Sequence, residues 1–167
     1  VVHNGIIENF KELKEDLIKK GCVFRSQTDT ETIAHLFAHE YGKTQDLTLA
    51  VKKGLDQIKG AYAICVMHKD EPDKIIASRK NAPLVIGVGE VENFIGSDIP
   101  AFIEYTKKAI YLEDGEIAVV RENSLEFFDS DLNKIEKKIE QLPWEPVALS
   151  KLGFKHFMLK EIHEQPD

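Results

Sequence analysis

Cysteine is nearly absent from this sequence: Cys22 and Cys65 are its only two in 167 residues. They lie far apart and outside any C-x-x-C spacing, and their apolar surroundings predict two buried, reduced thiols rather than a disulfide. Long hydrophobic runs are missing as well. No apolar stretch approaches the ~20 residues of a membrane-spanning helix, and no basic start with an apolar middle and small-residue cleavage site marks a secretory leader. Positive charge is in deficit, with 22 Lys and Arg against 29 Asp and Glu and a formal net charge of −7. The short pairs Lys19-Lys20 and Lys137-Lys138 sit among Glu residues, so no basic patch answers to a nucleic-acid backbone or an anionic membrane. These exclusions predict a cytoplasmic globular protein with neither nucleic acid nor membrane as partner. Its 43% hydrophobic residues are enough for a sizeable core.

What is present is a change of apolar spacing along the chain. Ile6, Phe10, Leu13 and Leu17 follow steps of four, three and four, which predicts an amphipathic helix over residues 6–20 ended by Gly21. Cys22 to Arg25 is a short strand candidate. Thr28-Asp29-Thr30-Glu31 has the form of a capping box, with Thr28 as N-cap and Glu31 three residues on. The helix it opens, over 29–41, would bury Ile33, Leu36, Phe37 and Tyr41 and close at Gly42. A third helix over 46–58 runs from Asp46 through Leu47, Val51, Leu55 and Ile58 to a stop at Gly60.

From Ala61 the apolar runs take strand length, first at Tyr62 to Met67, with turn signals at Asp70-Glu71-Pro72-Asp73. Ile75 to Ser78, Leu84 to Val88 and Phe94-Ile95 continue as short strands. Asp98 and Pro100 suit the start of a brief helix through Phe102-Ile103. Ala109 to Leu112 and Ile117 to Val120 flank Asp114-Gly115, a pair favoured in tight hairpins because both central residues of a type I′ turn need φ > 0. Asn123-Ser124 is a second turn, into Leu125 to Phe128. Helices first and hairpin-linked strands after predict an α+β fold with antiparallel sheets rather than a doubly wound parallel one. Leu142 to Pro146 is irregular, and Lys155 to Gln165 has the mixed charge of a connector.

Single residues carry ordinary readings when taken alone. Asn4-Gly5 is a common choice where a strand turns into a helix. Asp29 in a first helical turn is expected from the helix dipole. His35 and His39 are spaced i, i+4 and could share a metal, but the pattern is not H-E-x-x-H and both lie off the Ile33, Leu36, Phe37 stripe, so they read as a polar face. Ser97-Asp98 has no partnered His at recognisable spacing and reads as a helix cap.

Taken together, the motifs carry a resemblance. His3-Asn4-Gly5-Ile6-Ile7-Glu8-Asn9 resembles the H-N-G-x-I-x-N turn of glutamine amidotransferases with an N-terminal nucleophile. Ser26 with Thr28-Asp29-Thr30-Glu31 is similar to their S-x-T-D-T-E segment. Those two fit several members, amidophosphoribosyltransferases and asparagine synthetases included. Ala82-Pro83-Leu84-Val85-Ile86-Gly87, Asn93-Phe94-Ile95-Gly96-Ser97-Asp98 and Tyr111-Leu112-Glu113-Asp114-Gly115-Glu116 narrow it to the glucosamine-6-phosphate synthases. So does the closing run from Lys155 to Pro166, which resembles the link between their glutaminase and sugar-isomerising domains.

The resemblance covers nearly the whole chain and implies an αββα sandwich, two antiparallel sheets face to face between helical layers. Residues 1–154 would be the glutaminase domain and 155–167 a linker toward a sugar-isomerase domain that lies outside this sequence. The implied reaction hydrolyses glutamine to glutamate and passes ammonia to fructose 6-phosphate, with no cofactor and no metal, in a homo-oligomeric parent. Asn4 and Gly5 would form the oxyanion hole, with the positive end of a helix near Ile6 adding to their field, and Asp29 would bind the α-amino group of glutamine. The family's nucleophile is a first-residue cysteine whose free α-amino group is the base, whereas this sequence begins at Val1. The expectation is a piece without its N-terminal segment, which also lacks the family's Arg-Trp loop and nearby His and is inactive alone. The rival readings are the glutaminase domain of another type 2 amidotransferase, and a non-catalytic scaffold or regulatory domain.

Overall fold

The computed structural model describes residues 1–142 and 157–164. Its elements run β1 (Val2–Ile7), α1 (Phe10–Lys19), α2 (Asp29–Thr44), α3 (Leu47–Leu55), β2 (Gly60–His68), β3 (Glu71–Lys80), β4 (Val85–Val88) and β5 (Asn93–Gly96). A 3-10 turn at Ile99–Ala101 follows, then β6 (Lys108–Tyr111), β7 (Ile117–Arg121), β8 (Leu125–Phe128), β9 (Lys134–Ile135), β10 (Glu140–Gln141) and a helix α4 (Phe157–Glu164). The strands form two sheets, β1-β2-β3-β7-β8-β9 and β10-β6-β4-β5, and every pairing is antiparallel.

Alternation along the strands of the larger sheet explains the layering. Tyr62, Ile64, Val66, Ile76, Ile117 and Val119 pack with Leu17 of α1, Ile33, Leu36 and Phe37 of α2, and Leu47 and Val51 of α3. Their chain neighbours Ala63, Ala77, Ala118 and Val120 point the other way, onto Ile86 and Ile110 of the smaller sheet and Leu84 and Leu112 at its strand ends. Alanine recurs on that inner face because two sheets closing on each other leave little room between their central strands. The outer face of the smaller sheet is covered by Phe102 from the 3-10 turn, which packs on Val85, Ala109 and Leu142. The arrangement of helices on one sheet and that sheet on a second bears out the α+β, face-to-face antiparallel expectation.

Several boundaries differ from the sequence reading. Residues 6 and 7 belong to a strand, because Val2–Ile7 pairs along its whole length with β2, from Val2↔Cys65 to Ile7↔Gly60. The apolar step from Ile6 to Phe10 is coincidental, since Ile6 is 70% exposed. Helix α1 begins only after Asn9, whose side chain donates to Gln57 O (2.8 Å) and accepts from Lys59 N (2.9 Å) and so ties the turn to the end of α3. Cys22 to Arg25 forms no strand. Gly42 does not stop α2, which runs on to Thr44 and ends at Gln45 in the left-handed region (φ 53°). The third helix stops at Leu55, short of the expected end. Lys69-Asp70 make the β2–β3 turn, and the strand has resumed by Glu71.

Asp114-Gly115 does turn the chain, with Gly115 at φ 84°, but it makes no hairpin: β6 lies in the smaller sheet and β7 in the larger. The turn is a crossover, fastened by Gly115 N–H to Arg79 O (2.8 Å) and by the Arg79 guanidinium to Asp114 (2.8 Å). Arg79 also donates to Ala82 O (2.7 Å) and Leu112 O (2.9 Å), which spends one cation on three loop ends. Asn123-Ser124 is a true hairpin turn, joining β7 to β8. The proposed boundary between residues 154 and 155 lies outside the described residues, while the expected connector includes the helix α4.

The two faces of the larger sheet differ in what they tolerate. Ile76→Ala on the helix-facing side should lower unfolding free energy by about 2–5 kcal/mol through cavity formation. Ala118→Leu on the sheet-facing side should cost about 1–3 kcal/mol through overpacking. Denaturant titration of the two variants measures both, and a stabilising Ala118→Leu would contradict the packing described.

Candidate functional site

β1 is the outermost strand of the larger sheet, and three features converge on it. Pairing with β2 places Asn4 on the side of Ala63 and Cys65, the face turned toward the smaller sheet, and His3 and Ile7 on the helix side. The smaller sheet does not extend over β1, so Val2 is 72% exposed and Ile6 70%. Contact between them is made by Asn4, whose Nδ2 donates to Ser97 Oγ at 3.0 Å, just past the end of β5.

The middle of β1 requires glycine. Gly5 has φ +124°, and a Cβ there would fall 2.1 Å from Ala61 O on the paired strand. Gly60, opposite Ile7, has φ +117°, with a Cβ position 2.2 Å from Ile6 O. The two backbones approach so closely here that no side chain fits at either residue.

On the helix side, the first residue of α2 reaches the strand. Asp29 Oδ2 accepts the Ile7 N–H at 3.0 Å, so this carboxylate anchors β1 to α2 while sitting at the positive end of the helix dipole. His3 lies beside it, its side chain 2% exposed, with Nδ1 3.8 Å from Asp29 Oδ1 and 3.2 Å from Thr30 Oγ1. Its Nε2 is buried without a hydrogen-bond partner. Burial pushes the His3 pKa below the ordinary imidazole value, against the opposing pull of the Asp29 charge. Burial thus disfavours the charged imidazolium. Among the described residues no Lys or Arg pairs with Asp29, so a half-buried carboxylate stands next to β1 without a cation.

The start of α2 is fixed by the segment before it. Thr28 Oγ1 accepts the Glu31 N–H at 3.3 Å, as a capping box requires. The return arm differs from the expected form: the Glu31 carboxylate reaches past Thr28 to Ser26 Oγ, Arg25 N and Ser26 N, all at 2.6 Å. The Ser26 hydroxyl and then the Arg25 amide hold Glu31 well below the usual carboxylate range, at about 2. This clamp sets where α2 begins and therefore where Asp29 points.

Of the three residues singled out in the sequence, Asn4, Gly5 and Asp29, all meet on β1, Asn4 on one face and Asp29 at the helix side of Ile7. The helix expected to begin at Ile6 and add its field to Asn4-Gly5 begins at Phe10 instead, while the positive end of α2 reaches β1 through Asp29. Two neighbours of the site carried no local signal. Ser97 is 93 residues from Asn4, and His3 shows its role only once it is seen buried against Thr30. Ser97-Asp98 does cap as read, Asp98 Oδ1 accepting the Ile99 N–H (2.7 Å) to start the 3-10 turn. The His35 ring packs tilted against Phe24, with ring centroids 4.5 Å apart, and lies 3.7 Å from Glu31. Among the described residues no cluster of His, Cys, Asp or Glu is arranged to hold a metal ion, and no helix is long and apolar enough to cross a membrane. Both cysteines are free, and burial lifts the Cys65 thiol to about 11.

Two measurements follow from this geometry. Glu31 is an acid with a depressed folded-state pKa, so its contribution is present above pH ~4.5 and is lost as pH falls toward about 2. The protection of the Arg25 and Ser26 amides, taken relative to the intrinsic exchange rate at each pH, should fall as pH drops through that interval, and Glu31→Gln should abolish that fall. Gly5→Ala should destabilise the fold by about 2–4 kcal/mol, combining left-handed strain with the clash against Ala61. An unchanged unfolding midpoint would show that β1 can move away from β2 at little cost.

Comparison with known proteins agrees along the chain. Residues 1–104 match the family model described as a glutamine amidotransferase domain. Over 99% of its length the chain is 48% identical to a glutamine--fructose-6-phosphate aminotransferase (isomerizing) of Thermococcus kodakarensis, covering 28% of that protein. Proteins of the same description from Caldanaerobacter subterraneus and Aquifex aeolicus are each 51% identical over 99% of the chain, which covers 27% and 28% of their lengths. The chain thus spans under a third of the curated relatives it matches. Among solved structures, a glutamine phosphoribosylpyrophosphate amidotransferase from B. subtilis, complexed with ADP and GMP, superposes with a TM-score of 0.67 at 25% identity. That match takes in 80% of this chain and 29% of the other. A structure described as the allosteric regulatory enzyme of purine biosynthesis gives a TM-score of 0.62 at 27% identity, over 78% of this chain and 28% of that one. With the family model matching well over half of its residues, the chain belongs to the glutamine amidotransferase domain family.

Proposed function

We propose that this chain is the glutamine-hydrolysing part of a glutamine--fructose-6-phosphate aminotransferase, with Asn4 and Gly5 as oxyanion donors and Asp29 as the binding group for the α-ammonium of glutamine. The observation that carries this reading is the uncompensated Asp29 carboxylate held beside Ile7, two residues along the strand from Gly5. Two residues of extended strand span about 6.6 Å. The distance from the α-nitrogen to the amide oxygen of an extended glutamine, five bonds, is also on the order of 6 Å. One substrate molecule can therefore reach both ends.

In this reading the side-chain amide of glutamine is attacked to give a tetrahedral intermediate whose oxygen turns negative. The Asn4 amide and the Gly5 N–H supply donors fixed before reaction, worth about 10²–10³ in rate per donor. The closely approached Gly5 backbone, with no Cβ in the way, suits that role. Burial disfavours the cationic form of His3, so this ring competes little with an arriving ammonium for the Asp29 carboxylate.

The nucleophile this chemistry needs is a thiol adjacent to its own α-amino group. Neither cysteine of the chain serves. Cys65 lies within β2, protonated at neutral pH, and Cys22 packs against the helix-side core. We therefore propose that the 167 residues as they stand do not turn over glutamine. Residues 1–154 are proposed as the glutaminase domain and 155–167 as the lead into an isomerase domain that receives the ammonia and holds fructose 6-phosphate. A cytoplasmic, homo-oligomeric parent completes the proposal. The superposition on a phosphoribosylpyrophosphate amidotransferase raises a second acceptor for the ammonia, but the relatives at 48–51% identity favour fructose 6-phosphate.

Asp29→Asn separates the two tasks of this side chain, because the amide oxygen still accepts from Ile7 N–H while the charge is gone. In the intact amidotransferase it should raise KM for glutamine more than about tenfold and leave ammonia-dependent product formation within about twofold. Equal loss of both activities would assign Asp29 to the fold alone. Glutamate release by the polypeptide of these residues alone should not exceed the buffer rate, and glutamine-specific turnover would overturn the nucleophile assignment.

A further inference from the structure

We infer that Ser97 is a positioning residue for the oxyanion donor, holding the Asn4 carboxamide so that one N–H stays aimed at the developing charge; this rests on the reading of Asn4 given above. A carboxamide attached to a strand turns about a broad, nearly two-fold torsion. Asn4 is exposed on a face that the smaller sheet leaves uncovered, where flanking Val2 and Ile6 are 72% and 70% exposed and offer no wall against it. Packing cannot fix the amide plane there. The hydrogen bond from Asn4 Nδ2 to Ser97 Oγ at 3.0 Å does. It uses one of the two N–H groups of the amide and leaves the other free, which is the number an oxyanion donor needs.

Ser97 can do this because it is fixed from both sides. The residue before it, Gly96, forms the last rung of the β4–β5 ladder opposite Val85. The residue after it, Asp98, caps the 3-10 turn through the Ile99 N–H at 2.7 Å. The loop is closed down tightly between them, since a Cβ on Gly96 would stand 2.9 Å from the Ala101 Cβ. Val85 and Phe102 pack in the cluster on the outer face of the smaller sheet. Ser97 thus transmits the rigidity of the smaller sheet to a side chain on the edge of the larger one. A site on rigid elements is held more precisely than one on loops, and small losses of aim at a reacting oxygen lower the rate.

The test is a cycle of variants in the intact amidotransferase, read as glutamine hydrolysis and as ammonia-dependent product formation. Ser97→Ala should lower kcat for glutamine hydrolysis by about five- to tenfold, as loss of a single positioning hydrogen bond implies, with KM for glutamine within about twofold. Ammonia-dependent activity should stay unchanged, and Ser97→Thr, which keeps the hydroxyl, should recover most of the rate. Adding Ser97→Ala to Asn4→Ala should slow that variant no further. If Asn4→Ala loses its rate while Ser97→Ala loses none, or if the two losses multiply, the positioning role is wrong and the oxyanion assignment stands. If Asn4→Ala itself leaves kcat unchanged, the oxyanion assignment fails and this inference with it.

Discussion

A sheet buried on both faces must present apolar side chains to both layers from its central strands, and that constraint organises the molecule. β2, β3 and β7 meet it by dividing labour: bulky Ile64, Ile76 and Val119 face the helices, and small Ala63, Ala77 and Ala118 face the second sheet. The division lets helices pack deeply on one side and another sheet close down on the other. Where the second sheet ends, the constraint lapses. β1 keeps its helix-side residue Ile7 fully buried but leaves Val2 and Ile6 open. The candidate site lies at this transition, where one strand is held firmly from the helix side and accessible from the other.

The electrostatics of the site follow from the same placement. A carboxylate at the start of α2 gains from the helix dipole and from the Ile7 N–H, so Asp29 is stable there without a cation. Its neighbour His3 is too buried to take up a proton readily, although the Asp29 charge favours one. The carboxylate therefore keeps unspent attraction for a positive group arriving from solvent. The Glu31 clamp on residues 25 and 26 keeps the helix start, and hence that charge, in place.

The apolar spacing of α2 and α3, the Thr28 N-cap and the strands from Tyr62 onward were legible because each is a local pattern with a local cause. β1 was not, because Ile6, Phe10 and Leu13 mimic a helical stripe that long-range pairing with β2 overrides. Asp114-Gly115 carries the local signal of a turn, which it is, but not of the crossover between sheets that it makes. Turn chemistry sets the local backbone, whereas which sheet a strand joins is decided by burial of Ile110 and Leu112 on one side and Ile117 and Val119 on another. The candidate site residues Asn4, Gly5 and Asp29 came from motif resemblance. The contacts that tie Ser97 and His3 to the site join segments that no sequence period connects.

The central claim is that one glutamine lies along β1 between Asp29 and the Asn4-Gly5 pair. A crystal structure of the intact amidotransferase with a glutamine analogue bound tests it most directly. The account predicts the analogue's α-ammonium about 3 Å from the Asp29 carboxylate and its side-chain carbonyl oxygen about 3 Å from Asn4 Nδ2 and the Gly5 N–H. An analogue bound with its ammonium on any other acidic group, or with its carbonyl directed away from Asn4 and Gly5, would contradict it.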